Sequence, residues 1–168
     1  MYAGLLKKDP KNETWRVQSG DILVRLGALQ EPVHDSSVSE QQTQRAISVL
    51  KELASRNDAQ VLALELAARA LVTVQPAHLR DPELAAKYAE CGLALDNRQN
   101  PQILYTLAIA CRLAGQPEKA RDTAREGPAL LPASDISRSS RIRRRLEAEA
   151  MMPSQSSALS HYVPANVQ

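Results

Sequence analysis

Aromatic side chains are nearly missing from this chain. Its 168 residues hold no Phe, one Trp and four Tyr, an aromatic share of 3%. A core cannot then be built around stacked rings. The apolar share is an ordinary 43%, carried mainly by Ala and Leu. Both are strong helix formers, and β-branched residues are sparse by comparison, so an all-α chain is expected. Cysteine is scarce as well. Cys91 and Cys111 form no close-spaced pair, which argues against a metal site, a redox motif or a disulfide framework. No excess of one charge sign exists: 21 Lys and Arg against 19 Asp and Glu leave +2, a weak pull toward nucleic acid or membrane. The most apolar stretch, 61–74, contains Glu65 and Arg69 and is too short to span a bilayer. The opening MYAGLLKKDPK lacks the apolar run of a signal peptide, and a cytoplasmic location is expected.

What is present is helical spacing interrupted by turn residues. The first eight residues read as the end of a helix, stopped before Asp9-Pro10. A helix is predicted over 13–29, with Trp15, Ile22, Leu23 and Leu26 at helical spacing. A polar loop over 30–38 follows. Ser39 with Gln42 three residues on resembles a capping box, so a helix should start there and bury Ala46, Ile47, Val49, Leu50 and Leu53. The next helix, about 59–74, is apolar on most of its circumference, as suits a central element. Asp81 can cap a helix whose first residue is Pro82. That helix runs to about Leu95.

The stretch 100–132 reads NPQILYTLAIACRLAGQPEKARDTAREGPALLP. Two short helical patterns flank Gly115. Pro128 should bend or shorten the last turn of the second. A final helix over 134–152 has a thin apolar side, Ile136, Ile142, Leu146 and Ala150. From 153 to 168, two prolines, four serines and weak periodicity read as a disordered tail.

The pattern over 101–132 resembles the tetratricopeptide repeat, a helix pair of 34 residues. The matching slots are Leu104, Leu107, Ala108, Cys111, Gly115, Ala120, Ala124, Gly127 and Pro132. Small residues at Ala108 and Ala120 would let the paired helices approach. An upstream unit matches through Leu64, Ala67, Ala68 and Leu71, then Ala85, Ala89, Gly92 and Leu95. A weaker third uses Gly20, Leu23, Gly27, Ala46, Leu50 and Leu53. The resemblance implies helix pairs at about 13–55, 59–95 and 101–131 with a capping helix at 134–152. The fold is then a short tetratricopeptide-like α-solenoid of antiparallel pairs occupying 1–152. It also implies that Met1 falls inside a preceding repeat, leaving Tyr2, Leu5 and Leu6 uncovered. Self-association through the N-terminal helix would follow.

In that family the first helix of each repeat lines a concave groove. The corresponding residues are Val17, Asp21 and Arg25; Leu62, Glu65 and Arg69; and Gln102, Tyr105, Ile109 and Arg112, with Thr14 and Thr73 at the margins. Tyr105 beside Arg112 would make a good anchor for a protein or peptide partner. Relatives that grip a C-terminal carboxylate use Lys and Asn where this chain has Val17, Glu65 and Tyr105, so that mode is disfavoured.

The run LRDPELAAKYAE…LAGQPEKA is also similar to repeat regions that follow kinase domains in some bacterial serine/threonine kinases. No kinase motif accompanies it, so the likeness reaches only the non-catalytic part. A regulatory remnant of such a chain is an alternative expectation.

The densest charge cluster is Arg138, Arg141, Arg143, Arg144 and Arg145. A phosphate-binding role is a further alternative. Stacking aromatics are absent nearby, and Glu147 and Glu149 follow at i,i+4 from Arg143 and Arg145. A solvated capping helix is the favoured reading, and nucleic acid is disfavoured as a partner. His34, His78 and His161 lie far apart in predicted loops or the tail. With no catalytic constellation, a non-enzymatic interaction module without cofactor or metal is the expectation.

Overall fold

A computed structural model describes residues 12, 14, 16–18, 20, 36–131 and 138–153. Among these residues the secondary structure is entirely helical. Residues 14, 16–18 and 20 are helical, as predicted for the second N-terminal segment; the first eight residues and the tail beyond 153 lie outside the described set. Six longer helices follow: α1 (Ser36–Ala54), α2 (Val61–Thr73), α3 (Pro82–Leu95), α4 (Pro101–Leu113), α5 (Pro117–Glu126) and α6 (Arg138–Ala150).

Local chemistry sets most of these boundaries. Three successive helices, α3 to α5, open on a proline, whose missing N–H is harmless in the first turn. Asp81 caps α3, its Oδ1 accepting from the Leu84 amide at 3.1 Å. Asn100 Oδ1 accepts from the amides of Gln102 and Ile103 at 2.9 and 3.3 Å. Gly115 closes α4 at φ +75°; a Cβ there would meet nothing within 4 Å, so the residue is required for its backbone angle alone. Pro128 behaves as expected: α5 ends at Glu126, and Gly127–Leu130 tightens into a 3₁₀ turn.

Two helix starts differ from the sequence reading. The helix assigned to start at Ser39 begins at Ser36, so Ser39 lies inside it and does not cap it. Its neighbour α2 starts at Val61 after an extended Gln60 rather than at 59. The long α2–α3 connection is tied down by its own backbone. Asp81 N–H donates to the Leu71 carbonyl at 3.1 Å, and the Arg80 guanidinium to the Val74 carbonyl at 3.0 Å.

Each helix packs against its neighbours in sequence. A second set of contacts skips one element: α2 packs on α4, and α4 on α6. These three helices therefore form one row, with α3 and α5 behind it. The main core joins Leu50 and Leu53 of α1 to Leu71, Leu93, Ile103, Leu104 and Leu107, all at most 1% exposed. Each such side chain contributes roughly 1.5–3 kcal/mol of transfer free energy. Between them sit Ala67, Ala68, Ala85, Ala89, Ala110 and Ala120, which let backbones approach closely. Tyr88 bridges α3 to α1, its hydroxyl 2.8 Å from Ser55 Oγ, so the one polar atom of a buried ring is satisfied.

The small residues of the best-matching repeat divide their work. Ala120 belongs to the main core. Ala108 belongs to a separate small cluster with Ala124 and Leu146, where α4, α5 and α6 meet. Gly127 completes that junction, since a Cβ on it would overlap the Leu146 methyls.

Candidate partner-binding face

Residues 61–70 of α2 and 101–110 of α4 show the same order of buried and half-buried positions. Leu64, Ala67, Ala68 and Leu71 turn inward on α2; Leu104, Leu107, Ala108 and Cys111 do so on α4. Apart from Val61 and Pro101 at the helix starts, the half-buried positions left over are Leu62, Glu65 and Arg69 on α2, and Gln102, Tyr105, Ile109 and Arg112 on α4. Spaced by three or four residues, each set forms a line along its helix, and the two helices lie side by side. Seven of the ten expected groove residues are thus brought together.

The remaining three are not. Val17 is 2% exposed and packs in the main core with Leu50 and Ala46, so its assignment to the groove is corrected: it is a core residue. Asp21 and Arg25 lie outside the described residues.

Charge along the line is paired within the protein. Arg69 stands 3.6 Å from Glu65, one turn away on the same helix. Helix α6 takes up two positions of the α4 line, Tyr105 and Arg112. The Arg145 guanidinium lies 5.7 Å from the centroid of the Tyr105 ring, within cation–π range. Arg112 forms an ion pair with Glu149. The two residues expected to anchor a partner therefore engage α6 of the same chain. Leu62, Glu65, Arg69, Gln102 and Ile109 are the portion beyond it.

The arginine cluster is split by this packing. Arg143 donates to the Leu131 carbonyl at 2.7 Å, capping the preceding 3₁₀ turn, and Arg145 covers Tyr105. Arg141 and Arg144 are exposed, and Arg144 also reaches the Ser140 carbonyl at 3.3 Å. Arg138 opens the helix. The expected local pairing of Arg145 with Glu149 gives way to the Arg112–Glu149 bridge, because Glu149 points at α4 while Arg145 is exposed. Sequence reasoning missed Glu149 as a contact residue. Its signal was present: Ile142, Leu146, Glu149 and Ala150 follow the i, i+4, i+7, i+8 spacing of one helical face.

Other reactive groups are scattered. Cys111 is buried, and desolvation pushes its thiol up from the usual value. Cys91 is exposed. His78 Nε2 lies 2.9 Å from Glu40 Oε1 at the surface; His34 and His161 fall outside the described residues. Lys119 sits 2.6 Å from Glu90, and that contact raises its pKa above the usual lysine value. Among the described residues no group of three or more His, Cys, Asp and Glu side chains could hold a metal ion, and no helix is long and apolar enough to cross a membrane.

No protein-family model matches this chain, and neither a curated protein nor a solved structure matches it.

Proposed function

We propose that this chain is a non-enzymatic protein-interaction module of tetratricopeptide-like build, acting in the cytoplasm and binding a protein or peptide along the α2–α4 face. The observation that supports it is the repeated arrangement of two adjacent helices. Residues 61–70 and 101–110 bury the same positions and leave the same positions half-covered. Stacked helix pairs of this kind produce extended binding surfaces by repetition rather than by a single deep cavity. The mixture on the face, Leu62 and Ile109 beside Glu65, Arg69 and Gln102, suits a peptide with both apolar and polar side chains.

A photo-crosslinking residue at Ile109 tests the reading, with the same residue at exposed Lys87 on α3 as control. Specific adducts with one partner at Ile109, abolished by Leu62→Asp, are expected. Equal adducts at both positions count against the face.

A further inference from the structure

We infer that the seat beneath α6 is itself a helix-binding site, held by α6 as a resident occupant that a partner's helix displaces. The occupant it selects is an amphipathic helix bearing a cation, a leucine next to it and a carboxylate three positions further on. This rests on the reading of the fold as an interaction module and names the chemistry of its partner.

Three features of the seat recognise three features of the helix. Ala108 and Ala124 are fully buried small residues, and Gly127 is so close to Leu146 that even a methyl would collide. Together they make a socket for one leucine side chain. The Tyr105 ring offers a face to the cation of Arg145. Arg112 supplies a guanidinium to Glu149, whose residue is 4% exposed. The recognised pattern in α6 is Arg145-Leu146-x-x-Glu149, all on one side of a helix.

The attachment of α6 is narrow. Leu146 is its fully buried apolar side chain, with Ile142 and Ala150 half-buried beside it. Arg141, Arg144, Glu147 and Ala148 face solvent. The cluster it joins is separate from the main core that unites α1 to α5. An element held by a satellite cluster opens at lower free energy than the whole domain. A competing helix then shifts the population toward the open form.

The test uses a fluorescent synthetic peptide of residues 138–153 and the full chain, titrated by anisotropy. Breaking the Arg112–Glu149 pair from either side removes the same contact, but the inference assigns the two sides opposite effects. Glu149→Ala loosens the resident while leaving the seat whole, so peptide affinity should rise at least about tenfold over the unaltered chain. Arg112→Ala damages the seat and should leave affinity at least about tenfold below that of Glu149→Ala. Leu146→Ala in the full chain should act like Glu149→Ala and serves if that variant folds poorly. A peptide carrying Glu149→Ala should lose binding. Equal affinity of the Glu149→Ala and Arg112→Ala chains, or no gain from either loosened resident, overturns the inference. Such a failure leaves the α2–α4 face untouched, because the Ile109 crosslink reports on residues α6 does not use.

Discussion

Arg112 on α4 and Glu149 on α6 share one ion pair unequally: the Glu149 side chain is 5% exposed and the Arg112 side chain 36%. The more buried partner is the one that depends on the other. Loss of Arg112 strands a carboxylate away from water, whereas loss of Glu149 leaves a guanidinium that can still reach solvent. Arg112→Ala should therefore cost about 2–4 kcal/mol and Glu149→Ala about 1–2 kcal/mol. Undocking of α6 sets the ceiling, because a released Glu149 is hydrated. Hydrogen exchange should show protection lost over 138–150 and kept over 101–113. Equal loss across both helices would contradict this account.

Two glycines at helix contacts should respond differently to a methyl group. On Gly92 a Cβ would lie 3.3 Å from Ile103 Cδ1, the flexible end of a side chain. Alanine also favours the helix by about 0.5–1 kcal/mol, so Gly92→Ala should be close to neutral in urea unfolding. On Gly127 a Cβ would overlap Leu146, which is itself enclosed. Gly127→Ala should cost about 1–3 kcal/mol and loosen α6.

The two thiols should separate cleanly by reactivity. Cys91 is exposed and Cys111 buried, with its thiol raised by desolvation. At pH 8 the folded protein should take one equivalent of iodoacetamide quickly, at Cys91. Cys111 should react only at the rate of local opening, and raising the pH should not bring it level with Cys91. Mass spectrometry of the alkylated peptides resolves the two. Prompt double labelling would show that the α4 packing is wrong.

Lys119 carries a pKa raised by its contact with Glu90. A raised folded-state value means that the contact contributes fully below the unfolded lysine pKa and fades as pH rises through the folded one. The side chains are 51% and 45% exposed, so solvent screening holds the contribution below about 1 kcal/mol. Thermal melts of the unaltered chain and Lys119→Met should differ slightly at pH 8 to 10. The difference should begin to shrink only above about pH 10.5 and vanish once pH has passed the raised folded-state value.

The helical boundaries were legible where their causes are local. Asp81 and Asn100 cap the amides two or three residues ahead, Pro82, Pro101 and Pro117 open their helices, and Gly115 ends one. These interactions close within a single turn, so a short window of sequence contains both partners. The buried stripes of α2 and α4 were equally readable, because helical periodicity sorts inward from outward positions. Ser39 misled for a related reason: a capping motif competes with helix propensity on its N-terminal side, and here the helix continues through it to Ser36.

The amino-acid order alone determined an all-α chain whose Ala- and Leu-rich faces must be buried by packing helix on helix. Tertiary structure alone decided what the outward residues do. Val17 became core, the arginine run was divided between carbonyl, ring and solvent, and Arg112 met Glu149, a residue 37 positions away in the chain. Periodicity specifies a direction around one helix axis; which neighbour stands in that direction depends on how separate helices come together.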